Sequence, residues 1–470
     1  MESPVIDRRN LLLAGFASSL GLTSCVTAAP ITAGVTSRYS DRPAVMAIGD
    51  SLYQGVRSLT FTAELARHSP PMQVAACLNL AMTAPDPPHP ILFDLEAKLR
   101  QGGIANFVAT ARETCLTNAS QWLASGSWSG HEAFDNVAVG GAEIASLYTE
   151  SFGTEWPKLR KLVAQIEQNP VPDLAAIGQL WYSLNTCFTL NPRQREEQAS
   201  KTQLDQVRER QPKLLLVNIG SNEGLFRAAY LGAFDQKTLD SVAAIPKKME
   251  PLADHLASLP ATVETIAFNS LVRPRTASNL MPGPNANRGG IYVGDGYYST
   301  YGPWITGTAG SISGDTLKHF DQLTQDVNGE VRTLMERKVG SRLRFVDLYA
   351  ASTGLDGKHY RDRALLVHSL TGRQLQLRNI PLTRQVIGPQ EFTGGLTGLD
   401  NMHPTVPGYA AIADAVLAAI ASQARTDKDA AFRADTLLND IPFFLPVAQF
   451  ELRELGRFGV LKNFTSGTNA

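Results

Sequence analysis

The chain has 470 residues and a mass of 50.8 kDa, with 43% hydrophobic and 19% charged residues. That balance excludes disordered, collagen-like, coiled-coil and polytopic membrane proteins and leaves a globular body able to bury a sizeable core. Lys+Arg 43 against Asp+Glu 44 give a net charge of −1, so no global field draws polyanions and no nucleic-acid partner is expected. Four cysteines with no C-x-x-C pair argue against a disulfide scaffold and structural zinc.

The first 29 residues differ from the rest in composition. Arg8-Arg9 precede an apolar run from Leu11 to Leu22, which is shorter than the roughly 20 residues a membrane-spanning helix needs. The segment reads as an export signal. Asp7-Arg8-Arg9-Asn10-Leu11-Leu12 resembles a twin-arginine signal, and Leu22-Thr23-Ser24-Cys25 resembles a lipobox whose cleavage exposes Cys25 for lipidation. The expectation is a signal over 1–24, a linker over 25–42 and a membrane anchor at Cys25, placing a bacterial lipoprotein at the periplasmic side of the envelope or the outer membrane. Val26-Thr27-Ala28 also fits ordinary signal cleavage. Of the remaining Cys77, Cys115 and Cys187, one disulfide and one free thiol are expected in an oxidising compartment.

Four short apolar runs follow, each ending in a polar turn: Pro43 to Ile48 before Gly49-Asp50-Ser51, Phe134 to Val139 before Gly140-Gly141, Leu214 to Ile219 before Gly220-Ser221-Asn222, and Thr265 to Phe268 before Asn269-Ser270. Such runs are what a parallel sheet covered on both faces requires, so the predicted fold is an α/β sandwich. Residues 151–210 read as a mainly helical insertion. The stretch Arg273 to Gly314 holds Tyr292, Tyr297, Tyr298, Tyr301 and Trp304; it is either an aromatic lip over a cleft or a packed surface excursion. Thr316 to Lys338 has helical periodicity, with the acidic positions from Asp321 to Glu336 read as a solvated face. A tail spans 425–470, in which Phe443, Phe444 and Leu445 are expected to dock on the body.

Ser51 follows a buried strand and a glycine turn, a setting that holds a hydroxyl exposed. A serine hydroxyl becomes a nucleophile when a base lies within about 3 Å. Asp400 and His403, in Asp400-Asn401-Met402-His403-Pro404-Thr405, have a spacing that lets the carboxylate accept the imidazole Nδ1–H and turn Nε2 outward as that base. Donors for an oxyanion are offered by the backbone at Gly141, with Gly140 as the alternative, and by the Asn222 amide. Asp50 is expected to bond the turn backbone and support the loop. His68, His89, His131, His255, His319, His359 and His368 lack ligand spacing, so no metal is expected.

The order Gly-Asp-Ser-Leu, Asn-x-Ala-x-Gly-Gly-Ala, Gly-x-Asn-Glu and Asp-x-x-His-Pro-Thr resembles the GDSL, or SGNH, hydrolase family of esterases and lipases, over about residues 43 to 420. The resemblance implies a flavodoxin-like α/β/α sandwich over 43–424 with insertions about 150–210 and 273–314. It implies Ser51 as nucleophile, His403 as general base, Asp400 orienting it, and an oxyanion hole of the Ser51 N–H, Gly141 and Asn222, without cofactor. Glu223 departs from the family's usual Asp and bears on how Asn222 is supported. The expected activity is hydrolysis of a lipid, acyl or O-acetyl ester. The alternative is a catalytically silent binding or structural lipoprotein on a hydrolase fold.

Overall fold

The computed structural model describes residues 42–168, 174–283, 292–293, 296–304, 311–359, 365–368, 374–381, 384–387 and 390–439. The twin-arginine-like segment, the lipobox with Cys25, and Phe443 to Leu445 lie outside them. Among the described residues no helix is long and apolar enough to cross a membrane.

The architecture grows from four parallel strands: β1 (Val45–Gly49), β2 (Leu214–Asn218), β3 (Thr265–Asn269) and β4 (Leu343–Val346), adjacent in that order. Their registers run Val45 opposite Leu214, Leu214 opposite Thr265, and Ile266 opposite Leu343. Alternation decides which core each side chain joins. Met46, Ile48, Leu215, Val217, Ile266 and Phe268 enter one apolar cluster, while Val45, Ala47, Leu214, Leu216 and Ala267 enter another on the opposite face. A sheet buried on both faces reads as a continuous apolar run because successive side chains alternate between two cores.

Phe134 to Val139 adds to the far edge of β1 by a single parallel bridge, Ala47 opposite Asn136, with Val137 N–H and Val139 N–H donating to Ala47 O and Gly49 O. Counted in chain order, the strands lie 2-1-3-4-5 across the sheet. That is the flavodoxin-like order, in which ligands bind at the carboxyl ends where the order reverses. The loops flanking that point follow Val139, Gly49 and Asn218.

Helices cover both faces. After β1 come α1 (Ser51–Gln54), α2 (Pro70–Cys77) and α3 (Leu95–Ala124); then α4 (Phe152–Gln168), α5 (Leu174–Leu190) and α6 (Gln203–Arg210) form the helical insertion before β2. Past β2 follow α7 (Leu225–Leu231) and α8 (Ile245–Ala257), then α9 (Gly314–Val339) ahead of β4, with α10 (Leu348–Gly354) and α11 (Val406–Ile420) after it. Val74 of α2, Leu348 of α10 and Val416 of α11 fill one core; Leu159 of α4, Leu180 of α5, Leu252 of α8 and Phe320 of α9 fill the other. The result is three layers, as the sequence predicts.

Several expectations are corrected. Cys77, Cys115 and Cys187 are all free: Cys77 packs against one face of the sheet, and Cys115 and Cys187 lie in the core of the other. Burial pushes the Cys115 thiol up to about 12, which keeps it protonated and unreactive. Asp321 is not solvated: it is buried and pairs with Arg273, Nε to Oδ2 2.6 Å. The tail begins with α12 (Lys428–Ala434) and a turn of helix at Thr436–Asn439 packed into the body, with Asp435 fully buried. Tyr297, Tyr298 and Tyr301 are buried in a small core with Leu280, Ile312 and Leu317, which favours the packed excursion over an aromatic lip. Residues 365–395 hold a second sheet of β5 (Leu365–His368), β6 (Gln374–Arg378), β7 (Arg384–Ile387) and β8 (Gln390–Gly395), in the order β5-β6-β8-β7. Its last strand leads straight into the Asp400–His403 turn.

Candidate active site

The first element of the site is the β1–α1 turn. Gly49 has φ +142°, and a Cβ there would lie 2.0 Å from Asn218 O, so only glycine lets β1 and β2 close up at this point. Asp50 caps α1: its Oδ1 accepts from Leu52 N–H at 3.1 Å and from Asn218 Nδ2 at 2.7 Å. Asn269 Nδ2 in turn donates to Asn218 Oδ1 at 2.9 Å, so the ends of β1, β2 and β3 share one buried polar chain. Burial raises the Asp50 carboxyl to about 7, against the lowering effect of the Leu52 and Asn218 hydrogen bonds and the nearby His403. Asp50 thus supports the turn, and Ser51 occupies the first position of α1, partly exposed.

The second element is the turn between β8 and α11. Asn401 adopts φ +55°, the left-handed region that asparagine tolerates, and the turn is closed by Gly398 N–H to His403 O at 2.8 Å. Thr405 caps α11 and donates its hydroxyl to Gly395 O at 2.6 Å. This folding reverses the chain so that Asp400 and His403 lie together. His403 Nδ1 donates to Asp400 Oδ2 at 2.7 Å, and His403 Nε2 lies 3.0 Å from Ser51 Oγ. With Nδ1–H given to the carboxylate, Nε2 carries the lone pair that accepts the Ser51 O–H. Asp400 is held from three more directions, by Leu59 N–H at 3.0 Å, Met402 N–H at 3.1 Å and His403 N–H at 3.0 Å. Burial would raise its carboxyl, but His403 and these donors outweigh it and hold it below the ordinary carboxylate value.

The third element lies across the switch point. Gly141 has φ +87°, and among the described residues no acceptor takes its N–H or that of Ser51. Gly140, the alternative donor, is committed: its N–H donates to Gln54 Oε1 at 2.8 Å. Asn222 Nδ2 donates one hydrogen to Ala142 O at 2.8 Å and keeps a second. Glu223, where the family has Asp, accepts from Ile144 N–H at 2.9 Å and pairs with Lys248. The longer acid therefore ties the Asn222 loop to the Gly141 loop.

Two supporting sets carry no motif. Gln54 exchanges hydrogen bonds with Asn185 of α5, Nε2 to Oδ1 and Nδ2 to Oε1, each 2.8 Å. On the other side Arg57 forks onto Glu96 at 2.9 Å through two nitrogens and reaches Asp435 at 2.8 Å. Ser58 and Leu59 next to it are left-handed, φ +52° and +56°; Ser58 Oγ accepts from Leu399 N–H at 2.9 Å, just as Leu59 N–H holds Asp400. The only hint of either set in the sequence is polar residues within apolar surroundings.

An apolar cavity of about 160 Å³ adjoins Ser51, Asn222 and His403. A larger polar one of about 520 Å³ begins at Gly141 and runs along α4 and α5 past Glu150, Lys158 and Tyr182. The remaining described histidines stand apart from the site; the His359 ring is enclosed between Asp356 Oδ2 at 2.7 Å and Tyr301 OH at 2.6 Å.

A serine, a histidine and a buried aspartate at the carboxyl ends of a parallel sheet, faced by unclaimed N–H groups, make up the constellation of acyl-transferring hydrolases. The GDSL-like Lipase/Acylhydrolase family model matches residues 45–416, and the chain belongs to that family. No curated protein and no solved structure matches the chain.

Proposed function

We propose that this lipase/esterase-type hydrolase cleaves a carboxylic ester through an acyl-enzyme on Ser51. The observation that carries the reading is the unbroken relay from Ser51 Oγ through His403, 3.0 Å and 2.7 Å long, to Asp400. As Oγ attacks the carbonyl carbon, Nε2 takes its proton, and Asp400 stabilises the imidazolium without becoming protonated. The carbonyl oxygen gathers the charge and receives the Ser51 and Gly141 N–H groups and the spare Asn222 hydrogen, donors whose individual loss costs roughly 2.7 to 4 kcal/mol of barrier. Collapse breaks the ester C–O bond, and Nε2–H passes its proton to the departing alcohol. Water, deprotonated by His403, then attacks the acyl carbon and frees the acid and Ser51.

Hydrolysis of p-nitrophenyl esters by wild type and by Ser51→Ala tests this. We expect kcat to fall by about 10⁴-fold or more, since loss of a nucleophile leaves only the oxyanion donors and binding. Equal turnover by both proteins would remove Ser51 as nucleophile, and no turnover by the wild type would leave the silent-scaffold alternative standing.

A further inference from the structure

The apolar cavity bears on the acyl half of the substrate, a question that rests on the esterase reading above. Beyond Ser51, Asn222 and His403, its walls come from Phe226 of α7, Val272 after β3, Leu348 of α10, Leu355 just beyond it, Met402, and Ile412 of α11. Much of its polar lining is turned to the protein's own groups, Asn379 Nδ2 donating to Thr276 O at 2.5 Å among them, while Ser221 beside Asn222 stays partly exposed. Arg273, the one arginine or lysine among the described lining residues, is neutralised by Asp321 at 2.6 Å and donates to Tyr297 OH at 2.9 Å. Thr276 donates to Arg273 O, and Ser352 to Tyr349 O. Among the described residues the Ser278 and Thr397 hydroxyls have no partner, but neither is accessible to water. Among the described lining residues no unpaired cation faces the cavity to receive a second carboxylate or a phosphate.

The polar cavity beyond Gly141 offers the opposite surroundings, since an alkyl chain there would strip water from Glu150 and Lys158. An apolar chain attached to a carbonyl at Ser51 is therefore best housed on the α7–α10–α11 side. Size sets its length. An apolar cavity of about 150 Å³ holds one benzene-sized guest of six carbons, and this one has about 160 Å³. An acetyl group leaves most of it unfilled, and a chain much beyond six carbons must extend out of it.

We propose that this cavity is an acyl pocket for a chain of about six carbons, so that the substrate is a medium-chain ester rather than an O-acetyl or long-chain lipid ester. The test compares p-nitrophenyl acetate, butyrate, hexanoate, octanoate and dodecanoate on the full protein. Each methylene buried should raise kcat/KM by about fourfold, giving on the order of 10²-fold from acetate to hexanoate and no further gain beyond octanoate. A maximum at acetate, or a rise continuing to dodecanoate, overturns the proposal. Ala351 of α10 and Ala411 of α11 also line the cavity. Ala351→Phe and Ala411→Phe should each lower the hexanoate-to-acetate ratio at least tenfold, and an unchanged ratio in a folded variant counts against the pocket. Should neither variant fold, the wild-type profile alone decides. Calorimetry on Ser51→Ala with sodium hexanoate and sodium acetate separates the two levels of inference. Hexanoate bound more tightly than acetate by this variant, together with a wild type that turns over no ester, sinks the hydrolytic reading and keeps the pocket; wild-type ester hydrolysis that peaks at acetate does the reverse.

Discussion

Two aspartates within the same site are pushed in opposite directions by their neighbours. Asp400 is buried, yet the facing His403 and the Met402 and His403 N–H groups favour the charged form, as the proposed role of stabilising an imidazolium requires. Asp50 is buried with one oxygen lacking a partner among the described residues, and burial favours its neutral form. A carboxyl raised in the folded state stabilises the fold fully below its unfolded value, near 3.8, and that contribution disappears as pH rises through about 7. Asp50→Asn keeps an acceptor for Leu52 N–H and Asn218 but cannot ionise. The expected result is a smaller loss of Tm between pH 5 and pH 8 in the variant than in wild type, by about 2 °C or more. Identical pH profiles of thermal unfolding would mean that Asp50 stays charged in the fold. At this scale the sequence is most legible: Ser51, Asp400 and His403 announce themselves through strand-end turns and three-residue spacing, because those signals are local.

Among the elements, α5 shows that the helical insertion takes part in building the site. Its Asn185 reaches Gln54 across 131 positions of sequence, and the same Gln54 oxygen holds the Gly140 N–H. The turn that offers Gly141 is thus moored to the insertion and, through Glu223, to the loop after β2. Asn185→Leu would leave the buried Gln54 amide short of partners, at a cost of about 1–3 kcal/mol, and would loosen the Gly140–Gly141 turn. Steady-state kinetics should show kcat lowered at least tenfold with little change in KM, the pattern of an interaction that matters in the transition state; an unchanged kcat would reduce Asn185 to a packing residue. None of this is visible in the sequence, where Gln54 and Asn185 are two polar residues in separate helices. The second sheet is hard to read for a related reason. Gln374-Leu375-Gln376-Leu377 alternates as a strand should, but runs of four to six residues with polar ends look like loop until their partners are known.

For the molecule as a whole, the chain closes on itself through Arg57 and Asp435, 378 positions apart. Asp435 also accepts from Val406 N–H at 2.7 Å at the start of α11, so the segment after residue 424 fastens both the helix behind His403 and the turn beneath Asp400. Removing one partner of a buried ion pair costs about 3–5 kcal/mol. Asp435→Ala should therefore lower Tm by several degrees and reduce ester turnover even at temperatures where the protein stays folded. A variant with unchanged Tm would make the 425–439 segment a passive appendage. Sequence reading finds β1, β2, β3, the Phe134 to Val139 run and the long helix before β4 because each carries its own periodicity, and it passes over β4, Leu343–Val346, whose Arg344 interrupts the apolar run. It misses this closure because a charge pair between the two ends of a domain has no local signature.

Ser51 and His403 are 352 residues apart, and the turn that carries His403 hangs between the second sheet and α11. Contacts of such long range form slowly, since chain closure must precede any stabilisation they supply. On the roles proposed for Ser51 and His403, activity depends on a contact that exists only once this long closure is complete, so an unfinished or misassembled chain would lack it.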